Sequence, residues 1–266
     1  MRRFNLYPNF ERFALNWQPF FIFCIKKSMF FCYKGSQIFY DVIGQGMPTV
    51  FLCGWGYDHT ILKPLAIGVV GKKVFIDFPM FGKSDELMED WTLLDYEKLV
   101  KGILDNENIQ KCNFVGHSFG GKVAICLAGK YNICRRLVLV ASAGVKPKKS
   151  LGTRLKILRF KLAKKFGGNL EKFGSLDYQA LPQSAKKTFT NIVNTHIENF
   201  ASSICCQTLI LSGKQDKDTP LFMQKKLNRL IHGSKLVVVD AGHYVWVDCP
   251  SVLSTMQNFL NDKEGL

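Results

Sequence analysis

The chain has 266 residues, 47% of them apolar and 21% charged, with a formal net charge of +15. That balance excludes a disordered polymer, and the length approaches the upper limit for a single hydrophobic core, so one main domain with an inserted subdomain is expected. The cationic excess would suit a polyanion, but no nucleic-acid-binding motif accompanies it, so no nucleic-acid partner is expected.

Residues 1–28 combine Met1-Arg2-Arg3 with a short apolar patch, Phe20–Ile25. The patch is too short to span a bilayer and has no small-residue cleavage site, so an extension outside the core is expected here. Contact with a membrane surface is the alternative and is not favoured. From Met29 the sequence alternates strand-like and helix-like stretches. Met29–Tyr33 and Gln37–Val42 read as a hairpin around Lys34-Gly35-Ser36. Short apolar runs follow at Thr49–Cys53, Lys73–Asp77, Asn113–Gly116, Leu137–Ala141, Thr208–Ser212 and Leu236–Val239. Runs without polar alternation suit parallel strands covered on both faces. Helical patterns lie between them at Leu94–Leu104, Gly121–Ala128, Pro220–Ile231 and Ser251–Leu260. The expected fold class is therefore α/β, a mostly parallel central sheet flanked by helices.

Residues 145–205 interrupt the alternation. They carry twelve cationic side chains against three acidic ones, a local excess of nine. Leu155, Leu158, Leu162 and Phe166 make an apolar stripe at helical spacing, with Lys156, Arg159, Lys161, Lys164 and Lys165 around the rest. This segment is expected to be a helical lid, its cations mostly in water. The core is then residues 29–144 and 206–266. The nine cysteines show no C-x-x-C pair and no ligand spacing, so a metal site is not expected and free thiols in the cytoplasm are.

The chemistry centres on Gly116-His117-Ser118-Phe119-Gly120-Gly121. A bare G-x-S-x-G arises easily by chance; its place between a predicted strand and a predicted helix gives it weight. Such a turn pushes the serine out of the backbone and lets a helix N-terminus face developing negative charge. His243 follows the strand Leu236–Val239 and is the candidate base. Asp216 follows the strand Thr208–Ser212 and is the candidate for the acid that orients it; Asp218 is the runner-up. His117 is expected to be packed, and His59, His196 and His232 have no catalytic neighbour in the sequence. Cys53-Gly54-Trp55-Gly56 follows the strand Thr49–Cys53. There the backbone N–H of Trp55, with that of Phe119, would make an oxyanion hole, each donor worth on the order of 3 kcal/mol in the transition state.

With those blocks in order, the sequence resembles the α/β-hydrolase superfamily, and within it the lid-bearing serine hydrolases that include enol-lactone hydrolases, carboxylesterases and carbon–carbon bond hydrolases. The matching blocks are Phe51–Gly56, Asp77–Ser84, Gly116–Gly121, Leu211–Pro220 and Ala241–His243. The resemblance implies a Ser118–Asp216–His243 triad, no cofactor, and a small-molecule ester or lactone as substrate; carbon–carbon hydrolysis and a non-catalytic binding role are the alternatives. A serine nucleophile sets the chain apart from the haloalkane dehalogenase and epoxide hydrolase branches, which carry aspartate there. Two positions depart from the family pattern. Cys53 stands where a histidine is usual, and Met80 replaces the first glycine of Pro-Gly-Phe-Gly.

Overall fold

The computed structural model describes residues 26–146, 178–179 and 181–261. Eight strands form one sheet in the order β1-β2-β4-β3-β5-β6-β7-β8. They are β1 (Lys26–Tyr33), β2 (Ser36–Ile43), β3 (Thr49–Leu52), β4 (Lys73–Ile76), β5 (Cys112–His117), β6 (Cys134–Val140), β7 (Gln207–Gly213) and β8 (Lys235–Val239). The hairpin β1–β2 is antiparallel, and so is β2 against β4. Every other pairing is parallel. This is the helix-flanked, mostly parallel sheet expected from the apolar runs.

The runs are apolar because both faces are covered. On one face Val50, Leu52, Val74, Ile76, Phe114, Leu137 and Leu139 pack with the helices Leu93–Asn106 and Phe119–Lys130. On the other, Phe51, Phe75, Val115, Val138 and Leu211 pack with Val252, Met256 and Leu260 of the helix Ser251–Asn261. The helix Leu93–Asn106 opens with a reciprocal capping box between Thr92 and Asp95, which fixes its start. Among the described residues, no helix is long and apolar enough to cross a membrane.

β1 begins at Lys26, ahead of the expected Met29. The reason is its edge position: an exposed strand needs no apolar alternation, so Lys26, Lys27 and Ser28 carry no strand signal in the sequence. These residues matter to buried Asp41. The Ser28 hydroxyl donates to Asp41 Oδ1 at 2.6 Å and Lys26 Nζ lies 3.1 Å from Oδ2. Burial alone would raise the Asp41 carboxyl; these two partners and His59 hold it below its ordinary value. A chain begun at Met29 is therefore expected to lose about 1–3 kcal/mol of stability, read by urea unfolding. An unchanged midpoint would show that His59 alone suffices.

Between β6 and β7 the described residues include two helices, Gln183–Asn194 and Glu198–Ser202. The amphipathic stripe at Leu155–Phe166 lies outside the described residues. Helix Gln183–Asn194 is held at several points. Thr188 Oγ1 accepts from the Trp91 N–H at 2.9 Å, and Asn191 Nδ2 donates to the Trp91 carbonyl at 3.3 Å. Lys122, one turn into the helix Phe119–Lys130, donates from its buried ammonium to the Ile192 carbonyl near the end of the inserted helix. Desolvation pushes Lys122 down to about 8, against the pull of Cys126 and Glu198.

The sign of that shift gives a pH prediction. The unfolded lysine, near 10.5, keeps its proton when the folded one has lost it. Stability should therefore rise with pH from about 8 to about 10.5. Comparing wild type with Lys122→Met cancels the other titrating groups. The wild-type advantage should grow by on the order of 3 kcal/mol across that window. A pH-independent difference would contradict it.

Candidate active site

Parallel strands bring their C-terminal ends to one edge, and the candidate residues collect there. Ser118 follows β5, Asp216 follows β7, and His243 follows β8. Ser118 has φ 51° and ψ −113°, outside the comfortable regions for a residue with a Cβ. The turn is held from both sides. Ser118 N–H donates to the Val140 carbonyl at 3.1 Å, and its carbonyl accepts from Ala143 N–H at 3.0 Å. The glycines are required by close approach: a Cβ on Gly120 would lie 2.0 Å from the Leu52 carbonyl oxygen, and one on Gly116 would lie 2.5 Å from Gly121 Cα.

His243 Nδ1 lies 2.9 Å from Asp216 Oδ2. Asp216 is buried and fully engaged. Its Oδ1 accepts from the backbone N–H groups of Asp218 and Thr219, both at 2.9 Å, and its Oδ2 also faces the Thr219 hydroxyl at 2.7 Å. Burial alone would raise this carboxyl; the hydrogen bond and charge of His243, with Thr219, bring it below its ordinary value. Asp218 is exposed and serves only as a backbone donor to Asp216 in this cluster. Asp216, Asp218 and His243 could each offer an oxygen or nitrogen within 4.8 Å of the others. Two backbone N–H groups, His243 Nδ1 and the Thr219 hydroxyl already surround Asp216.

His117 is buried as expected. Its Nε2 lies 3.2 Å from the His243 carbonyl oxygen, and its ring packs 4.7 Å from the His243 ring and 4.9 Å from Trp246. Burial and the neighbouring His243 push it well below the ordinary histidine value, so it stays neutral and packs against His243. No hydrogen bond joins the Ser118 hydroxyl to the His243 ring among the described residues. Such contacts often tighten only when substrate binds.

The loop after β3 lies against the serine: a Cβ on Gly54 would come within 3.3 Å of Ser118 Cβ. Trp55 therefore sits beside the turn. The Trp55 ring is held edge-on by three others, Phe81 at 5.2 Å, Phe119 at 5.8 Å and Phe189 of the inserted segment at 5.3 Å. Met80 packs near this wall with φ 74°, a left-handed backbone that glycine adopts more readily than methionine. Cys53, in place of the usual histidine, is buried and donates to the Asp58 carbonyl at 3.2 Å, so it ties the loop across its base.

His59 has no catalytic neighbour in the sequence, yet it is buried between two carboxylates. Its Nδ1 lies 2.8 Å from Asp77 Oδ1 and its Nε2 lies 3.5 Å from Asp41 Oδ2. Its own N–H also donates to Asp77 Oδ1 at 2.7 Å, and Asp77 Oδ2 accepts from Lys83 N–H at 3.1 Å. This cluster pins the far end of the Trp55 loop to the turn that carries Met80 and Phe81.

Comparison with known proteins finds others of this fold. A family profile described as alpha/beta hydrolase fold matches residues 72–191. A 2-hydroxy-6-oxononadienedioate/2-hydroxy-6-oxononatrienedioate hydrolase of Pseudomonas putida is 24% identical, over 78% of this chain and 86% of its own. A pimeloyl-[acyl-carrier protein] methyl ester esterase of Shewanella woodyi is 34% identical over 110 residues; that match spans 41% of this chain and 41% of the esterase. Among solved structures, an esterase from Exiguobacterium antarcticum superposes with a TM-score of 0.71 at 18% identity, covering 89% of this chain and 100% of its own. The enol-lactonase from Burkholderia xenovorans gives 0.69 at 19% identity, covering 88% and 100%. These structural likenesses concern the fold.

Proposed function

We propose that this chain, which shares the α/β-hydrolase fold, is a serine hydrolase that cleaves a carboxylic ester or lactone through an acyl-Ser118 intermediate. The observation that carries the proposal is the strained, outward Ser118 turn on the same sheet edge as the 2.9 Å His243–Asp216 pair. Asp216 accepts the Nδ1 proton of His243, which leaves Nε2 as the basic nitrogen. That nitrogen takes the Ser118 proton as the hydroxyl attacks the carbonyl carbon. The backbone N–H groups of Trp55 and Phe119 receive the developing oxyanion. His243 then returns its proton to the leaving alcohol, and a water repeats the sequence to release the acid.

Residues 145–205 serve in this proposal as a lid that excludes water and shapes the pocket. The 5.3 Å contact between Phe189 and Trp55 supports that role. Carbon–carbon hydrolysis of a vinylogous diketone on the same triad is the second reading, favoured by the match to the Pseudomonas putida hydrolase over 86% of its length. The substrate named for that relative is a dioate and carries two carboxylates. The described wall of Trp55, Met80, Phe81, Phe119 and Phe189 is apolar, which supports a neutral ester or lactone first. A screen of p-nitrophenyl esters, lactones and vinylogous diketones, with wild type and Ser118→Ala side by side, tests the proposal. Turnover of an ester or lactone that Ser118→Ala lacks would support it. Turnover of diketones alone would replace it with the second reading.

A further inference from the structure

The opposite edge of the sheet, where the parallel strands begin, carries a group of thiols. Cys112 opens β5, Cys134 opens β6, and Cys206 immediately precedes β7. Cys112 and Cys134 are register partners across the β5–β6 pair. The sulfurs of Cys134 and Cys206 share a hydrogen bond at 3.4 Å, across 72 residues of sequence. Both are free thiols in the structure. Cys134 is 8% exposed, whereas Cys206 is half-buried and lies just outside its strand.

We infer that Cys134 and Cys206 form a peroxide-oxidisable dithiol, and that their disulfide closes the loop carrying the whole segment inserted between β6 and β7. The inference stands apart from the hydrolase chemistry and would survive its failure. A disulfide needs sulfurs about 2.05 Å apart, so a movement of roughly 1.4 Å suffices. The two thiols are also unequal. The hydrogen bond shared with Cys134, helped by Thr208, lowers the Cys206 thiol against the desolvation that would raise it. The same bond, together with burial, pushes Cys134 well above the ordinary value. Deprotonation is therefore favoured at the accessible member of the pair, where oxidation would begin.

The chemistry balances with hydrogen peroxide as the oxidant. The Cys206 thiolate attacks one peroxide oxygen, the O–O bond breaks, and hydroxide leaves and is protonated to water. Cys206 is then a sulfenic acid. Cys134 sulfur attacks the Cys206 sulfur, loses its proton, and expels the second hydroxide as water. Two thiols and one peroxide become one disulfide and two waters, with two electrons passing from sulfur to oxygen.

The test uses the full-length reduced chain treated with one equivalent of hydrogen peroxide. Two thiols should disappear per chain, and non-reducing peptide mapping should link the Cys134 peptide to the Cys206 peptide. Dithiothreitol should restore both. Closing so long a loop should raise the melting temperature by roughly 5 °C or more. Cys205→Ser removes the exposed neighbouring thiol and should behave as wild type. Cys206→Ser alters only the half-buried member and should show neither the link nor the rise in melting temperature. A Cys112–Cys134 link, a dimer through Cys205, or a Cys206 sulfinic acid without a cross-link would each overturn the inference.

Discussion

Replacing Ser118 by alanine is expected to lower kcat/KM for the best ester substrate by about ten-thousand-fold or more. The effect is this large because the proposed reaction passes through a covalent bond to this oxygen. A water attacking in its place lacks both the position and the adjacent base. The melting temperature should hardly move. The hydroxyl makes no hydrogen bond to His243 among the described residues, and alanine inherits the φ of 51° that serine already tolerates. Stability should stay within about 1 kcal/mol. A variant that keeps a tenth of wild-type turnover would show that another group carries the chemistry.

Asp216→Asn should cost roughly 1,000- to 10,000-fold in kcat with KM little changed. The carboxylate accepts from Nδ1 of His243, from the Thr219 side and from two backbone N–H groups. An asparagine amide placed there has one acceptor oxygen, and its other position is an NH2 group that only donates. It would either face the backbone donors with its own N–H or present that N–H to Nδ1, which selects the tautomer with a protonated Nε2. That tautomer cannot accept the Ser118 proton. Asp218→Asn is the control, because Asp218 is exposed and contributes its backbone N–H to the cluster. It should retain near-normal kcat. Equal losses in the two variants would mean that Asp218 takes part in orienting the base.

The parallel core was legible because strands covered on both faces have to be apolar throughout. Val50, Phe51 and Leu52 in β3 show this, as do Leu137, Val138 and Leu139 in β6. The shared edge of the three candidate residues was legible for a related reason. Each follows directly on such a strand, and parallel strands deliver their C-terminal ends to one edge. Edge elements were harder to read. Lys26–Ser28 extend β1 without any apolar signal, since their side chains answer to solvent and to Asp41. The His59 cluster could not be read locally. Its carboxylates come from β2 and from the end of β4, and Asp77 is 18 residues away in sequence from His59. Only the sheet order, with β2 beside β4, brings Asp41 and Asp77 around one ring. The placement of the Trp55 ring was hidden in the same way. Phe81, Phe119 and Phe189 belong to three separate segments, and the last depends on how the inserted helix docks on Trp91 and Lys122.

Labelling with a fluorophosphonate probes the proposed nucleophile most directly, because it reports the reactive oxygen without requiring the natural substrate. The folded full-length chain, treated with a fluorophosphonate and digested, should yield a single phosphonylated peptide modified at Ser118. Labelling should vanish in Ser118→Ala and slow by at least about a hundredfold in His243→Ala, where the hydroxyl has lost its base. No adduct on a chain with a normal melting transition, or an adduct on a different residue that persists in Ser118→Ala, would contradict the proposed nucleophile.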